Sequence, residues 1–574
     1  MSRPVRIGNC SGFFGDRLSA AKEMVEGGPL DVLTGDYLAE LTMFILWRTR
    51  ERSGGYARSF LAQAEHILGT CQDRGIRVVT NAGGLNPAGL ADALRTLTCR
   101  LGLPTTIAHI EGDDLLARLP ELQATGHELA HLDTGRPLAG SGADPVTANA
   151  YLGGWGIAAA LGAGADVVVC PRVTDAALVV GPAAWWHGWA REDWDPLAGA
   201  VAAGHVIECG TQATGGNYSS FTEIDDLINP GFPIAEVAAD GSSVITKHPG
   251  TAGAVTVGTV TAQLLYEIDR PAYLNPDVTA HFDTTRLTQE ATDRVALSGT
   301  VGSPPPPTTK VCLNYLGGYR ADATFVLTGL DIDAKADLVL RGLTAKLDPA
   351  VELHPRATEL ADGGRHLTVT AKSPDRAALD RRFFDSVMEL ALAGYPGFHL
   401  TDLPPASASA YGVYWPTLVP SELVDQEIVA ADGTRTTIPA TPAGPVRHTP
   451  TADGPTAADL GETRPAPLGL VADARSGDKG GNANAGLWVR SPDAYRWLAG
   501  YLTADRLREL LPEAADLVIR RHELPNLYAL NFVVVGLLGE GVASSTRADP
   551  QAKSLGEWLR GRTVPIPVSL LKEG

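Results

Sequence analysis

The sequence predicts an α/β protein: a large doubly wound, mainly parallel sheet region with added α+β elements, followed by a small C-terminal α/β domain. Three glycine-rich polar loops point to it. They are Cys10-Ser11-Gly12-Phe13-Phe14-Gly15-Asp16-Arg17, Asn81-Ala82-Gly83-Gly84-Leu85-Asn86-Pro87 and Pro171-Arg172-Val173-Thr174-Asp175. Each follows a short apolar run that reads as a strand and precedes a segment that reads as a helix. Repeated strand–loop–helix units imply a parallel sheet with its loops gathered along one edge, and ligands of open α/β sheets bind outside the carboxyl ends of the strands. The alternation persists for about 190 residues, the pattern of a doubly wound domain. A chain of 574 residues also exceeds one ordinary core, so two or three domains are expected.

The elements follow in order. Val5-Arg6-Ile7 is the first strand. Residues 36–52 carry Leu38, Leu41, Phe44 and Ile45 at helical spacing, with Asp36 as the N-cap. A second helix starts near Tyr56 and stops at Gly75. Residues 76–80 read as a buried strand. Pro87 opens a helix that ends near Gly102. Residues 105–110 read as a strand, 147–164 as an apolar helix of small residues, and 166–170, with three consecutive valines, as a buried parallel strand. From 204 to about 402 the pattern becomes α+β. There 255–260 and 323–327 read as strands, 375–392 as a helix, and Pro304 to Pro307 as a stiff surface segment. Residues 430–467 have the Pro, Ala, Thr and Gly content of a linker. Order resumes after it with a strand, a loop, a helix, strands at 516–520 and 530–537, and a helix near Leu555. The expected domains are 1–429, the linker 430–467, and 468–574.

Composition narrows the function. A net charge of −19 argues against nucleic acid and anionic membranes as partners. It leaves room for a small anionic substrate, because a local Arg/Lys cluster overrides the global field. No stretch approaches the roughly 20 apolar residues of a membrane span. The chain start runs straight into a strand without a secretory apolar region. The six cysteines are scattered without a CxxC pair, as reduced cytosolic thiols are. The expectation is a cytoplasmic homo-oligomer.

Several residues are candidates for chemistry. Asp16 and Arg17 follow a glycine-rich turn, where backbone N–H groups and a guanidinium suit a carboxylate or phosphate; the alternative is a pair that stabilises the turn. The spacing of Gly8, Gly12 and Gly15 matches neither a dinucleotide fingerprint nor a P-loop. Asn81 and Asn86 flank two glycines and suit orienting a carbonyl, or form a structural turn with an asparagine cap. Arg172, at a strand's carboxyl end, needs water or an anion as partner; Asp175 beside it is a proton carrier or a helix cap. Glu208 is a candidate acid or base. Cys209 next to it lacks a visible base. Lys247, before a glycine loop, is a weaker candidate for anion binding or a solvated turn lysine. Residues 475–481 read as a loop in which Arg475 and Lys479 bind an anion or dock the small domain. His127-Glu128-Leu129-Ala130-His131 spells the zinc-hydrolase HExxH signature. Its context lacks a third ligand, and Leu132-Asp133-Thr134-Gly135 breaks the helix early.

Many separate segments resemble one family. Gly12 to Arg17, Asp36-Tyr37-Leu38-Ala39-Glu40, Thr80 to Pro87, Asn149-Ala150-Tyr151-Leu152-Gly153, Arg172 to Asp175, Glu208-Cys209-Gly210, Gln263-Leu264-Leu265-Tyr266-Glu267 and Pro276-Asp277-Val278 look like motifs of the acyclic terpene utilization (AtuA) family. Ala474 to Gly480 looks like the start of its ferredoxin-like C-terminal domain. The resemblance implies a catabolic setting in which citronellol and geraniol are degraded through acyl-CoA intermediates, with branched acyl-CoA or carboxylate substrates. Through its motif it adds Asn149 to the substrate-binding candidates. In the third loop the family pattern has Thr-Gly before Arg, where this chain has Cys170-Pro171.

The combined reading is an enzyme that performs acid–base chemistry on a carboxylate or acyl-CoA, as a hydratase, dehydratase or lyase. Asp16, Asp175 or Glu208 would move the proton. Arg17 and Arg172 would bind an anionic group, and Asn81 and Asn86 would orient a carbonyl. No metal and no cofactor is expected. The alternatives are a non-catalytic acyl-CoA-binding or assembly partner of a carboxylase or hydratase, and a zinc hydrolase using His127, Glu128 and His131.

Overall fold

The computed structural model describes residues 3–445, 448 and 461–571. Residues 446–447 and 449–460 of the expected linker lie outside the described residues, as do 1–2 and 572–574. The main sheet is built around five parallel strands. The first six strands of the chain are β1 (Val5–Asn9), β2 (Val32–Gly35), β3 (Arg77–Thr80), β4 (Ile107–Glu111), β5 (Pro145–Ala150) and β6 (Val167–Val169); β5 belongs to another sheet, and the other five lie parallel in the order β1-β2-β3-β6-β4. One row of the register runs Gly8, Leu33, Val78, Val167, Ile107 across all five. The three valines of β6 are fully buried between neighbours on both sides, where β-branched side chains pack best.

Alternation across the pleat feeds two cores. Val168 packs with the helices Trp155–Gly162, Ala177–His187 and Trp194–Ile207 on one face. Val167 and Val169 pack with Ala20–Gly27, Arg58–Arg74 and Pro87–Leu101 on the other. This is the doubly wound arrangement. Antiparallel strands extend it on both sides. On the β1 side come β7 (Pro233–Val237), β8 (Ser243–Lys247), then Arg294–Ser298 and Arg286–Ala291. On the β4 side come Gln426–Val429 and Arg435–Ile438, so sheet structure continues into the segment expected as linker.

Several expected elements differ. The helix expected from Asp36 begins at Glu40, capped by Ala39, and ends at Arg48; Asp36 is free of that task. Residues 147–164 are a strand and then a helix: β5 pairs with the long strand Thr308–Leu327, and the helix starts only at Trp155. Residues 255–260 are not a strand. Thr256 and Thr259 cap each other reciprocally and open the helix Val257–Leu264. The 475–481 segment is not a loop: Asp473–Lys479 is a strand, hairpinned to Asn482–Trp488.

The C-terminal segment has four antiparallel strands in the order Asp473–Lys479, Asn482–Trp488, Ala529–Val534, Ile519–Leu524. The helices Pro492–Tyr501 and Leu555–Arg560 contribute Leu498 and Leu559 to a core with Leu487 and Phe532. This small α/β segment has the character of a ferredoxin-like fold. It belongs to the same compact unit as the main sheet, which comprises 1–314, 415–538 and 551–574. A second unit joins 315–414 with 539–550. There the paired strands Glu352–Glu359 and Arg365–Ser373 and the helices Ile332–Lys346 and Arg376–Ala393 share a core of Phe325, Leu343, Val369 and Phe383. Among the described residues no helix is long and apolar enough to cross a membrane.

Candidate active site

The loops that follow β1, β2, β3 and β6 open at the same edge of the parallel sheet, and β4 ends there too. Asp16, Asn81 and Arg172 therefore lie on one edge. At the end of β1, Asn9 donates through Nδ2 to the carbonyls of Ile207 (2.7 Å) and Glu208 (2.9 Å). Gly12 lies so close to this segment that an added Cβ would stand 2.6 Å from the Cys209 carbonyl carbon. These contacts fix Glu208 at the C-cap of the helix Trp194–Ile207, where the helix dipole disfavours negative charge.

A buried group of acids surrounds one arginine. Arg172 is 2% exposed. Its guanidinium donates to Asp175 (2.7 Å) and to the Val173 carbonyl (2.8 Å), and lies 4.1 Å over the Tyr151 ring. Burial works against its charge, but Asp175, Tyr151 and Glu40 outweigh that and hold it charged. Glu40 accepts from the Tyr151 hydroxyl (2.6 Å) and from Lys310 (3.1 Å). Burial pushes Glu40 up, yet Lys310 and Arg172 hold it well below the usual carboxylate range. Asp36 and Glu208 behave oppositely. Burial, and then the charge of Asp175, raises both well above that range and favours their protonated forms. Asp113, at the end of β4, accepts from Asn149 Nδ2 (2.7 Å) and is pushed up to about 7 by burial.

His205 lies on the helix one turn before Glu208. Its Nδ1 stands 3.2 Å from Glu208 Oε1, without the alignment of a hydrogen bond. Burial and the charge of Lys479 lower it to about 4, so the ring is neutral. Among the described residues, Glu208 Oε2 and Arg172 Nε are buried without hydrogen-bond partners.

The C-terminal domain supplies cations to this region. Residues 475, 477 and 479 share one strand face. A Cβ at Gly477 would stand 2.5 Å from the Tyr266 ring, so glycine lets the ring seat there. Arg475 donates to Gln212 and stacks 4.2 Å over the same ring. Lys479 Nζ lies 5.7 Å from the Tyr273 ring centroid, and its charge acts on both Glu208 and His205. Lys553 donates to Tyr266 and stands 3.4 Å from Glu267.

The structure divides the sequence candidates. Arg172, Asp175, Glu208 and Lys479 come together, with Asn149 behind them on Asp113. Asn81 faces the cluster indirectly: it donates to Asp36 (2.7 Å) and accepts from Tyr37 N–H (2.7 Å). Asp16 accepts from Gly12 N–H (2.9 Å) and Arg17 N–H (2.8 Å), holding its own turn. Arg17 pairs with Glu23 at 2.6 Å. Asn86 caps the helix Pro87–Leu101 by accepting from Gly89 N–H and donates to Gly54. Lys247 is held by the Thr251 carbonyl (2.6 Å) and Asp293 (3.0 Å). Cys209 is raised well above the ordinary thiol range by burial and by Glu208, so it stays a thiol. Residues 127–131 are not helical, and Leu129 has a φ of 49°. The shared face that HExxH needs is not formed. Asp36, Glu40, Asp113, Tyr151, His205 and Lys310 were not proposed as chemistry; Asp36 and Asp113 follow strand ends and were open to the same edge rule as Arg172.

A doubly wound sheet with buried acids at its carboxyl edge, met by cations from a ferredoxin-like domain, defines the class of the protein. Residues 5–430 match the family described as acyclic terpene utilisation family protein AtuA, and residues 466–565 match the AtuA ferredoxin-like domain. The chain belongs to this family. A comparison with curated proteins finds no match.

Proposed function

We propose that the protein is a cytoplasmic catabolic enzyme of the acyclic terpene utilisation kind that moves protons on a carboxylate or branched acyl-CoA, in a hydratase, dehydratase or related lyase step. The observation that carries this reading is the pair of buried acids, Glu208 and Asp36, in surroundings that favour their protonated forms, beside the Arg172–Asp175 ion pair. Groups poised in this way are what acid–base catalysis at neutral pH needs. Arg172 and Lys479 take the negative charge that develops on a carboxylate or thioester carbonyl. In hydration, Glu208 gives its proton to the α-carbon while Asp175 takes one from the water that adds to the β-carbon; elimination runs these transfers in reverse. The cycle closes when Asp175 gives its proton up to solvent and Glu208 takes one back from solvent, with neutral His205, 3.2 Å from Glu208 Oε1, as its relay.

The test incubates the full chain with branched unsaturated acyl-CoAs and the matching free acids in D2O. Gain or loss of one water, with deuterium at the α-carbon, is expected. Glu208→Gln should lower kcat by about 10²–10⁴-fold with the fold intact, and Lys479→Ala should raise KM. Tight acyl-CoA binding with no exchange and no turnover would instead make the chain a binding partner.

A further inference from the structure

A second cluster of ligating side chains lies away from the acids, where 281–283 meets the segment that joins the two family regions. His281 ends the strand Thr279–His281, Asp283 follows within the turn Phe282–Thr284, and His448 comes from between the regions matched at 5–430 and 466–565. One ligand atom from each lies within 4.8 Å of the others. His448 Nε2 and Asp283 Oδ2 are 3.0 Å apart, and the two imidazole centroids 4.8 Å apart.

Two details favour a cation over a simple hydrogen-bonded group. His281 is 1% exposed, and its Nε2 stands 2.8 Å from Ser303 Oγ. That contact orients the ring as outer-shell partners of metal-bound histidines do, leaving Nδ1 as the ligand. Among the described residues, His281 Nδ1 and Asp283 Oδ1 are both buried without hydrogen-bond partners. Buried polar atoms of this kind call for an unseen partner, and here two of them belong to one cluster with a third ligand beside them. Two imidazoles and one carboxylate suit a borderline divalent transition ion such as zinc, with a water in the fourth position. Zinc–nitrogen bonds of about 2.0–2.1 Å require the atoms to draw together slightly, and His448, the more exposed ligand at 24%, can supply that movement.

We infer that His281, Asp283 and His448 form a binding site for a divalent transition-metal ion, which clips the connecting segment to the main unit. The clip also reaches the candidate active site, because Phe282, between the two inner ligands, packs on His205 at 5.4 Å and on Tyr273 at 5.2 Å.

The test strips the full-length protein with a chelator, titrates it with Co2+ while recording ligand-field absorption, and displaces Co2+ with Zn2+. Wild type should bind about one equivalent with the spectrum of a low-coordinate site. His448→Ala and Asp283→Asn should each weaken binding at least about tenfold, and His131→Ala should not change it. His448→Ala alters a partly exposed residue, so it reports on the site even if changes at His281 disturb folding. Absence of Co2+ and Zn2+ binding by wild type, equal affinity in His448→Ala, or loss of binding in His131→Ala would overturn the inference.

Discussion

Asn81 and Asn86 flank Gly83-Gly84 and look interchangeable in sequence, but their surroundings differ. Asn81 is fully buried and bridges Asp36 to the Tyr37 N–H. Asn86 is a helix cap with one further bond to Gly54. Asn81→Ala strands the buried Tyr37 N–H, at about 1–3 kcal/mol, and removes the shorter of two hydrogen bonds to Asp36 Oδ1, which keeps the Leu38 N–H. Asn86→Ala loses a cap worth about 1 kcal/mol. Denaturant unfolding should therefore show a clearly larger loss for Asn81→Ala, and equal losses would contradict these assignments. At this scale the sequence was legible where a residue type is hard to satisfy in any other way. Arg172 at a strand end is such a case. Asp16 is not, because an aspartate after a glycine turn serves its own backbone as readily as a ligand. Glu208 was legible as an acid, but the burial and the neighbouring Asp175 that raise it become visible only in three dimensions.

At the scale of elements, glycines and valines marked the parallel centre correctly, since Gly75 and Gly102 end their helices in the left-handed region and the valine run has one comfortable home. The misreadings arose where small or β-branched residues fit either state. Residues 147–150, Thr-Ala-Asn-Ala, are small, and only pairing with Thr308–Leu327 makes them a strand. Residues 257–264 are rich in β-branched residues, yet the Thr256–Thr259 cap starts a helix. In the hairpin carrying Arg475 and Lys479 the glycines spell a loop in sequence. Gly477 is there for the Tyr266 ring instead. Gly477→Ala should force the hairpin off that ring, with an overpacking cost of about 1–3 kcal/mol, and should weaken substrate binding through Lys479. Gly69→Ala, where φ is not left-handed and nothing lies within 4 Å, adds a methyl group without a clash and serves as the control. If the two variants match in stability and affinity, the docking account fails.

For the whole molecule, the division into 1–429 and 468–574 follows chain order, while the structure groups 539–550 with 315–414 and the small domain with the main sheet. Such a grouping depends on long-range contacts that no local pattern encodes. It also buries ionisable groups in bulk, which gives the fold a pH dependence. Burial raises Asp113 and Asp478 to about 7 and Asp277 to about 6, from an ordinary 3.8. Between those limits the folded state keeps protons that the unfolded chain has released. The stability these groups contribute is thus complete below about pH 4 and lost as pH rises to about 7. His205 acts oppositely: lowered to about 4 from 6.5, it costs stability as pH falls through that window. Asp36 and Glu208 shift in the same direction as the three acids, while burial lowers His109, His248, His281 and His522 as it lowers His205, so the histidines oppose, over pH 5 to pH 8, the loss that the acids contribute. Asp113 alone accounts for at most about 2–3 kcal/mol of it. Asp113→Asn keeps an oxygen for the Arg172 N–H but removes the titration. Unfolding at pH 5 and pH 8 should show Asp113→Asn losing about 2–3 kcal/mol less than wild type, or gaining that much more, towards pH 8. A variant with the same slope as wild type would show that Asp113 is ionised in the fold.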